Sequence, residues 1–186
     1  MYKIAITGNI ASGKSIVEEI LKEKGFIVFD TDKIAHEILE SSDKVKIAFK
    51  DYGIITNGKI DRKKLGDIVF CDKNLLKKLE SIVHPLVKAE ILKIFEQGYD
   101  IVFISVPQLF EVGFEDMFDK IVLVTADENV RLDRLMKRNG YTKDEALRRI
   151  ASQIPDSEKI NKCDIILQNN NDIKALRETI SNINWI

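Results

Sequence analysis

The chain is short of the residues that staple or punctuate a fold: its 186 residues include 2 cysteines, 3 prolines, 9 glycines, 2 histidines and 1 tryptophan. Cys71 and Cys163 are far apart, with no other Cys or His at ligand spacing, which excludes a zinc ribbon and a disulfide framework. Both read as buried or semi-buried thiols. No apolar run approaches the ~20 residues of a membrane helix. The start, Met1-Tyr2-Lys3-Ile4-Ala5-Ile6-Thr7-Gly8, lacks the basic head, apolar core and cleavage site of a secretory leader. A soluble, cytoplasmic protein is expected. Nor is there an excess of one charge. Lys and Arg number 29 against 30 Asp and Glu, so the molecule has no overall field for nucleic acid or an anionic membrane, and any basic site is local. Nothing signals an obligate protein partner.

A hydrophobic share of 45% with 32% charged residues suffices for a sizeable core in one domain. Apolar runs at Ile4–Thr7, Phe26–Phe29, Ile101–Ser105 and Ile121–Thr125, with a fifth at Asp164–Leu167, read as buried strands. Helical periodicity spans Lys14–Lys24, Val87–Gln97, Asn129–Lys137 and Ile173–Ile183. Non-alternating strands separated by helices predict a five-stranded parallel sheet covered on both faces. From about Glu40 to Gly98 no strand is expected, only helical segments broken at Asn57-Gly58 and at His84-Pro85. A second interruption runs from Lys137 to Gln153, where Asn139-Gly140 ends one helix and Thr142 with Glu145 matches a capping box for the next.

Gly8-Asn9-Ile10-Ala11-Ser12-Gly13-Lys14-Ser15 fits G-x-x-x-x-G-K-[ST], directly after the first strand and before the first helix. Glycines let the backbone curl so that its N–H groups and the positive end of the helix face phosphate. Lys14 is expected to reach the β- and γ-phosphates of a nucleotide and Ser15 to bind Mg²⁺. A GTPase needs an Asp-x-x-Gly sensor, and none of the 9 glycines has Asp three residues before it. Asn161-Lys162-Cys163-Asp164 matches a guanine-reading string but precedes a strand instead of following one. The third apolar run ends Phe103-Ile104-Ser105-Val106-Pro107, without the acid that ends the corresponding strand of an ATPase motor.

A kinase of a small molecule fits better. Asp30-Thr31-Asp32 follows the second strand, where a carboxylate can accept the proton of an attacking hydroxyl, although either Asp can equally cap the next helix. Arg131, Arg134 and Arg138 repeat at three and four along one helix face, with Arg148 and Arg149 beyond the interruption. Such a stripe is commonly a solvated face, but Arg138 stands where the helix breaks and a lid can carry it to the nucleotide.

Taken together, the phosphate loop, Asp30-Thr31-Asp32-Lys33-Ile34-Ala35-His36, His84-Pro85, Val106-Pro107-Gln108-Leu109-Phe110-Glu111, and Arg134 to Arg138 followed by Thr142, Arg149-Ile150 and Gln153 resemble the dephospho-coenzyme A kinases over nearly the whole chain. The resemblance implies a three-layer P-loop kinase transferring phosphate from ATP, with Mg²⁺, to the ribose 3′-hydroxyl of dephospho-coenzyme A. It implies a core of residues 1–40, 99–136 and 154–186, helices for the acceptor at 41–98 and a lid at 137–153. Asp32, Lys14 and Arg138 would be catalytic. Gly8, Ala11, Ser12, Gly13, Lys14, Ser15 and Ile16 would bind ATP, and Asp32, His84, Pro85, Leu109 and Glu111 the acceptor. Relatives usually carry Gly at Asn9 and Ala11, Thr at Ile16, Leu at Gln108 and an Asp-Asn-x-Gly at Gln168-Asn169-Asn170-Asn171. Ala11 is therefore expected to avoid positive φ, whereas Asn9 tolerates it. A nucleoside or nucleotide kinase, or a nucleotide sensor without catalysis, are the alternatives.

Overall fold

A computed structural model describes all 186 residues. The chain runs β1 (Tyr2–Thr7), α1 (Lys14–Glu23), β2 (Ile27–Asp30), α2 (Thr31–Ser41), α3 (Asp43–Ala48), β3 (Ile55–Thr56), β4 (Lys59–Ile60), α4 (Arg62–Val69), α5 (Lys73–Phe95), β5 (Ile101–Ser105), β6 (Lys120–Thr125), α6 (Glu128–Asn139), α7 (Lys143–Ala151), α8 (Asp156–Lys159), β7 (Ile165–Gln168) and α9 (Ile173–Ser181). It divides into two compact units, Met1–Phe29 with Gly98–Ile186, and Asp30–Gln97. No helix is long and apolar enough to cross a membrane.

In the first unit β1 lies at the centre of a five-stranded parallel sheet of order β2-β5-β1-β6-β7. Ile4 pairs with Phe103 of β5 on one side and with Lys120 of β6 on the other. Ile4, Ala5 and Ile6 are all completely buried, so side chains pointing to both faces are covered, which is why the strand reads as a continuous apolar run. Val17, Ile20 and Leu21 of α1, Leu176 and Ile180 of α9, and Trp185 pack on Ile4, Ile6 and Phe103. Trp185 meets Phe103 edge-on at a centroid distance of 5.0 Å. The chain leaves β1 for one side of the sheet and reaches β6 on the other only after β5, which makes the carboxyl end of β1 a topological switch point, the usual ligand crevice of such sheets.

Residues 137–153 are ordered by local chemistry. Gly140, at φ 67°, ends α6, and α7 opens on the expected capping box of Thr142 and Glu145. The box holds the Glu145 carboxyl below its usual range, mainly through the Thr142 backbone N–H. Ala146 and Ile150 pack on Leu132 and Leu135, with Ile10 and Ala11 against the cluster.

In the second unit α5 packs against α2, α3 and α4. Three expectations fail here. Asn57-Gly58 does not break a helix; it is the turn of a hairpin, Ile55 pairing with Ile60 and Thr56 with Lys59. Both turn residues have positive φ, 50° and 77°, the geometry whose twist matches paired strands. Nor does His84-Pro85 interrupt a helix, since α5 runs through Pro85 for 23 residues. Val83, Val87 and Ile91 anchor the buried side of the helix. Ser81 and Pro85 are exposed, so the carbonyl that Pro85 cannot bond is left to water. Cys71 is likewise exposed, not buried, at the end of α4.

Candidate functional site

Six helices begin with a side chain accepting a hydrogen bond from their free N–H groups: Asp30, Ser42, Asp61, Asp72, Thr142 and Asp172. The helix that follows the switch point does not. α1 starts at Gly13 without a capping side chain and with no acid in its first turn, so its first N–H groups and the positive end of its dipole are left for an external anion. Ser12 adds a buried hydroxyl oxygen without a hydrogen-bond partner. Ser15, in that first turn, is exposed. Backbone N–H groups and hydroxyls so placed are the donors that phosphate groups require.

The two glycines are required sterically. A Cβ on Gly8 would sit 2.5 Å from the Val124 carbonyl oxygen, and one on Gly13, at φ 93°, would overlap the Asn169 amide nitrogen. Ala11 departs from the expectation that it avoids positive φ, lying at 61°. A left-handed alanine costs about 1–2 kcal/mol, and the surroundings hold it there. Arg134 Nη1 donates to the carbonyls of Ala11 and Ser12 at 3.2 and 3.3 Å, and its Nη2 to that of Asn169 at 2.8 Å. Asn169, buried, donates from Nδ2 to the Ser12 carbonyl at 2.8 Å. Arg134 is thus no solvated stripe residue but a clamp on the back of the loop.

Asn9 is not left-handed; it is buried and bonded on all sides. Its Nδ2 donates to the Ile154 carbonyl at 2.9 Å and to Asp156 Oδ1 at 2.7 Å. Its Oδ1 accepts from Lys159 Nζ at 2.8 Å, and Lys159 also reaches Glu111 Oε1 at 3.0 Å. The Ile10 N–H donates to Gln153 Oε1 at 2.7 Å. Burial pushes the Asp156 carboxyl up, against the opposing pull of Arg131 and Lys159. One half-buried segment, 153–159, therefore ties the start of the phosphate loop to Glu111 in the loop after β5.

Lys14 does not extend into open solvent. Its Nζ pairs with Glu18 Oε1 at 2.9 Å and donates to Ser105 Oγ, while Ser105 Oγ donates to Glu18 Oε1 at 2.6 Å. Ile16 is half-buried, its N–H bonded to the Gly13 carbonyl at 2.9 Å. Arg138, in the last turn of α6, is exposed, with Nε on Asn139 Oδ1 at 2.9 Å. Leu109 is completely buried, so its side chain packs beneath the 107–111 loop. In the second unit Asp30 is the cap of α2, accepting from the Asp32 N–H at 2.9 Å, which leaves the Asp32 carboxylate exposed in the first turn and not acting as the cap. His84 is half-buried and Pro85 exposed, in mid-α5. The guanine-like string is structural: Asp164 Oδ2 accepts from the Ile121 N–H at 2.7 Å and pins β7 to β6.

Reading the sequence alone missed Asn9, Glu18, Ser105, Gln153, Lys159 and Asn169 as parts of this cluster. Asn9 lies inside the loop string, Gln153 and Asn169 fall in segments compared with the family, and Glu18 has i,i+4 spacing from Lys14, but none of these signals showed the contacts made here.

Comparison with known proteins agrees with this geometry. The family model for dephospho-CoA kinase matches residues 2–175. A dephospho-CoA kinase of Carboxydothermus hydrogenoformans is 42% identical over 188 residues, covering 97% of this chain and 91% of its own. Among solved structures, a protein from Thermus thermophilus superposes with a TM-score of 0.83 at 34% identity, covering 97% of this chain and 94% of its own. A dephospho-CoA kinase from Campylobacter jejuni gives 0.74 at 33%, covering 95% and 92%. The fold is that of the P-loop kinases, and the chain belongs to the dephospho-CoA kinase family.

Proposed function

We propose that Asp32, Lys14 and Arg138 carry out in this chain the reaction that defines its family: transfer of the γ-phosphoryl group of ATP to the ribose 3′-hydroxyl of dephospho-coenzyme A, giving coenzyme A and ADP, the last step of coenzyme A synthesis. The observation that carries this reading is the uncapped start of α1, with strict glycines and a lysine beside it, in a chain of this family. Gly8 to Ile16 cradle the triphosphate with backbone N–H groups, and Lys14 leaves Glu18 to follow the β- and γ-phosphates. Asp32, with its oxygens not used for capping, accepts the 3′-hydroxyl proton and orients the attacking oxygen. Arg138, at the hinge between α6 and α7, brings positive charge onto the transferring phosphoryl when residues 137–153 close, and closure excludes water that would otherwise hydrolyse ATP. Ser15, with the ATP phosphates, would hold a Mg²⁺ ion, which would supply charge neutralisation to the transferring group. The helices of residues 41–98, with His84 and Pro85, and the loop through Leu109 and Glu111 take the acceptor. A cytoplasmic location, where ATP is at hand, goes with this reading.

The test is ADP release from Mg·ATP with dephospho-coenzyme A, with AMP and a nucleoside as control acceptors and mass analysis of the product. One added phosphate on dephospho-coenzyme A alone is expected; turnover only with AMP would overturn the acceptor assignment.

A further inference from the structure

Phosphate-loop NTPases hold the Mg²⁺ of their nucleotide between the Ser or Thr of the loop and an acid supplied by a neighbouring strand. In this chain the strand beside β1 ends Ile104-Ser105-Val106-Pro107, and Ser105 stands where such an acid is needed. A carboxylate is nevertheless present at that place. Glu18 of α1 presents Oε1 to Ser105 Oγ at 2.6 Å. Ser105 is completely buried and Glu18 is 7% exposed.

We propose that Glu18, held by Ser105, is the carboxylate of the Mg²⁺ site, delivered from the helix instead of from the strand. The inference rests on the reading that this chain binds Mg·ATP. A carboxylate this buried is tolerable only when paired, and its present partner is Lys14, at 2.9 Å. Lys14 is also the lysine that must turn to the triphosphate. Once it does, Glu18 keeps only the Ser105 hydroxyl and faces an arriving polyanion, an arrangement that repels unless a cation takes the lysine's place. Mg²⁺ is that cation. Ser15 and Glu18 are i,i+3 neighbours on α1 and so share one face of the helix, the loop hydroxyl with the acid beside it. The lysine and the metal are therefore successive partners of one carboxylate, and nucleotide without metal meets an uncompensated negative group.

The test compares the parent, Glu18→Gln, and the double variant Glu18→Gln with Ser105→Asp. Mn²⁺ affinity is read by electron paramagnetic resonance in the presence of a non-hydrolysable ATP analogue, and analogue affinity is read by calorimetry with and without metal. Glu18→Gln is expected to weaken Mn²⁺ about tenfold or more, while the metal-free analogue binds as well as before or better. Ser105→Asp, which puts the acid on the strand itself, is expected to restore most of the Mn²⁺ affinity. Tighter analogue binding with unchanged Mn²⁺ affinity would overturn the proposal and leave Glu18 as a resting place for Lys14. Equal weakening with and without metal would overturn it in favour of a packing role. If Glu18→Gln melts too early to titrate, Glu18→Asp decides the same question: it keeps the charge but withdraws it by one methylene, so weaker Mn²⁺ with unaltered metal-free binding supports the proposal and unaltered Mn²⁺ overturns it. A parent that binds neither analogue nor Mn²⁺ would instead overturn the nucleotide-binding reading itself.

Discussion

The helices α1 and α2 are each the next element after a sheet strand, α1 across the phosphate loop and α2 directly, yet their first turns are chemically opposite. α2 is closed by the Asp30 side chain and carries a further acid, Asp32, in its first turn. α1 begins on a left-handed glycine, with no cap and no acid. Capping normally contributes about 1 kcal/mol, a stabilisation that α2 has and α1 forgoes. On the proposed reading the chemistry divides in the same way: the uncapped helix start would receive the phosphates, and Asp32, which is not the cap of α2, would take the acceptor's proton.

Removing the functional side chain from each helix start should break this contrast most sharply. Asp32→Asn should lower kcat by about 10²–10⁴-fold, the range for a lost general base, with ATP affinity nearly unchanged by calorimetry. Lys14→Ala should weaken both, and a variant that titrates ATP like the parent would remove Lys14 from the site. Gly13→Ala comes next. Its Cβ would overlap the Asn169 amide and its φ of 93° is hostile to any side chain, so a loss of about 2 kcal/mol or more is expected in urea melts, together with weaker ATP binding. Asp30→Ala should cost about 1 kcal/mol of stability and leave ATP affinity untouched. If it changed ATP affinity as much as Gly13→Ala does, the two helix starts would not be chemically separate.

The smallest effect sets an open group against a closed one elsewhere in the chain. Cys71 is exposed, whereas burial, aided by Asp164, pushes the Cys163 thiol up to about 11. At mildly alkaline pH iodoacetamide should modify Cys71 and spare Cys163, as peptide mass analysis would read. Because the folded value is raised, Cys163 favours the fold up to the ordinary thiol range, and that contribution fades as pH rises towards 11.

Much of this could be read from the sequence where the signal is local. The five strands are apolar runs rich in β-branched residues, the central three of them, β5, β1 and β6, buried on both faces, and the loop Gly8 to Ser15 is a contiguous string. The capping box at Thr142 and Glu145 spans four residues. The hairpin at Asn57-Gly58 escaped because its strands are two residues each, too short for alternation to appear, although the dipeptide is itself a turn signal. Pro85 misled because its cost depends on which side of α5 faces water, a tertiary fact. The backing of the phosphate loop was invisible for a simpler reason: Arg134 and Asn169 reach Ser12 from 122 and 157 positions away. No window of sequence contains such a pair.

Those distances also have a consequence in time. The phosphate loop is encoded among the first residues, but what shapes it arrives late. Arg134, Gln153, Lys159 and Asn169 leave the ribosome long after Lys14 does. A chain under synthesis therefore carries its nucleotide-recognition string as a floppy segment until its final stretch emerges, since contacts this distant form only after a large loop has closed. Nascent chains stalled before residue 169 should bind an ATP analogue far more weakly than the finished chain, as photocross-linking would read.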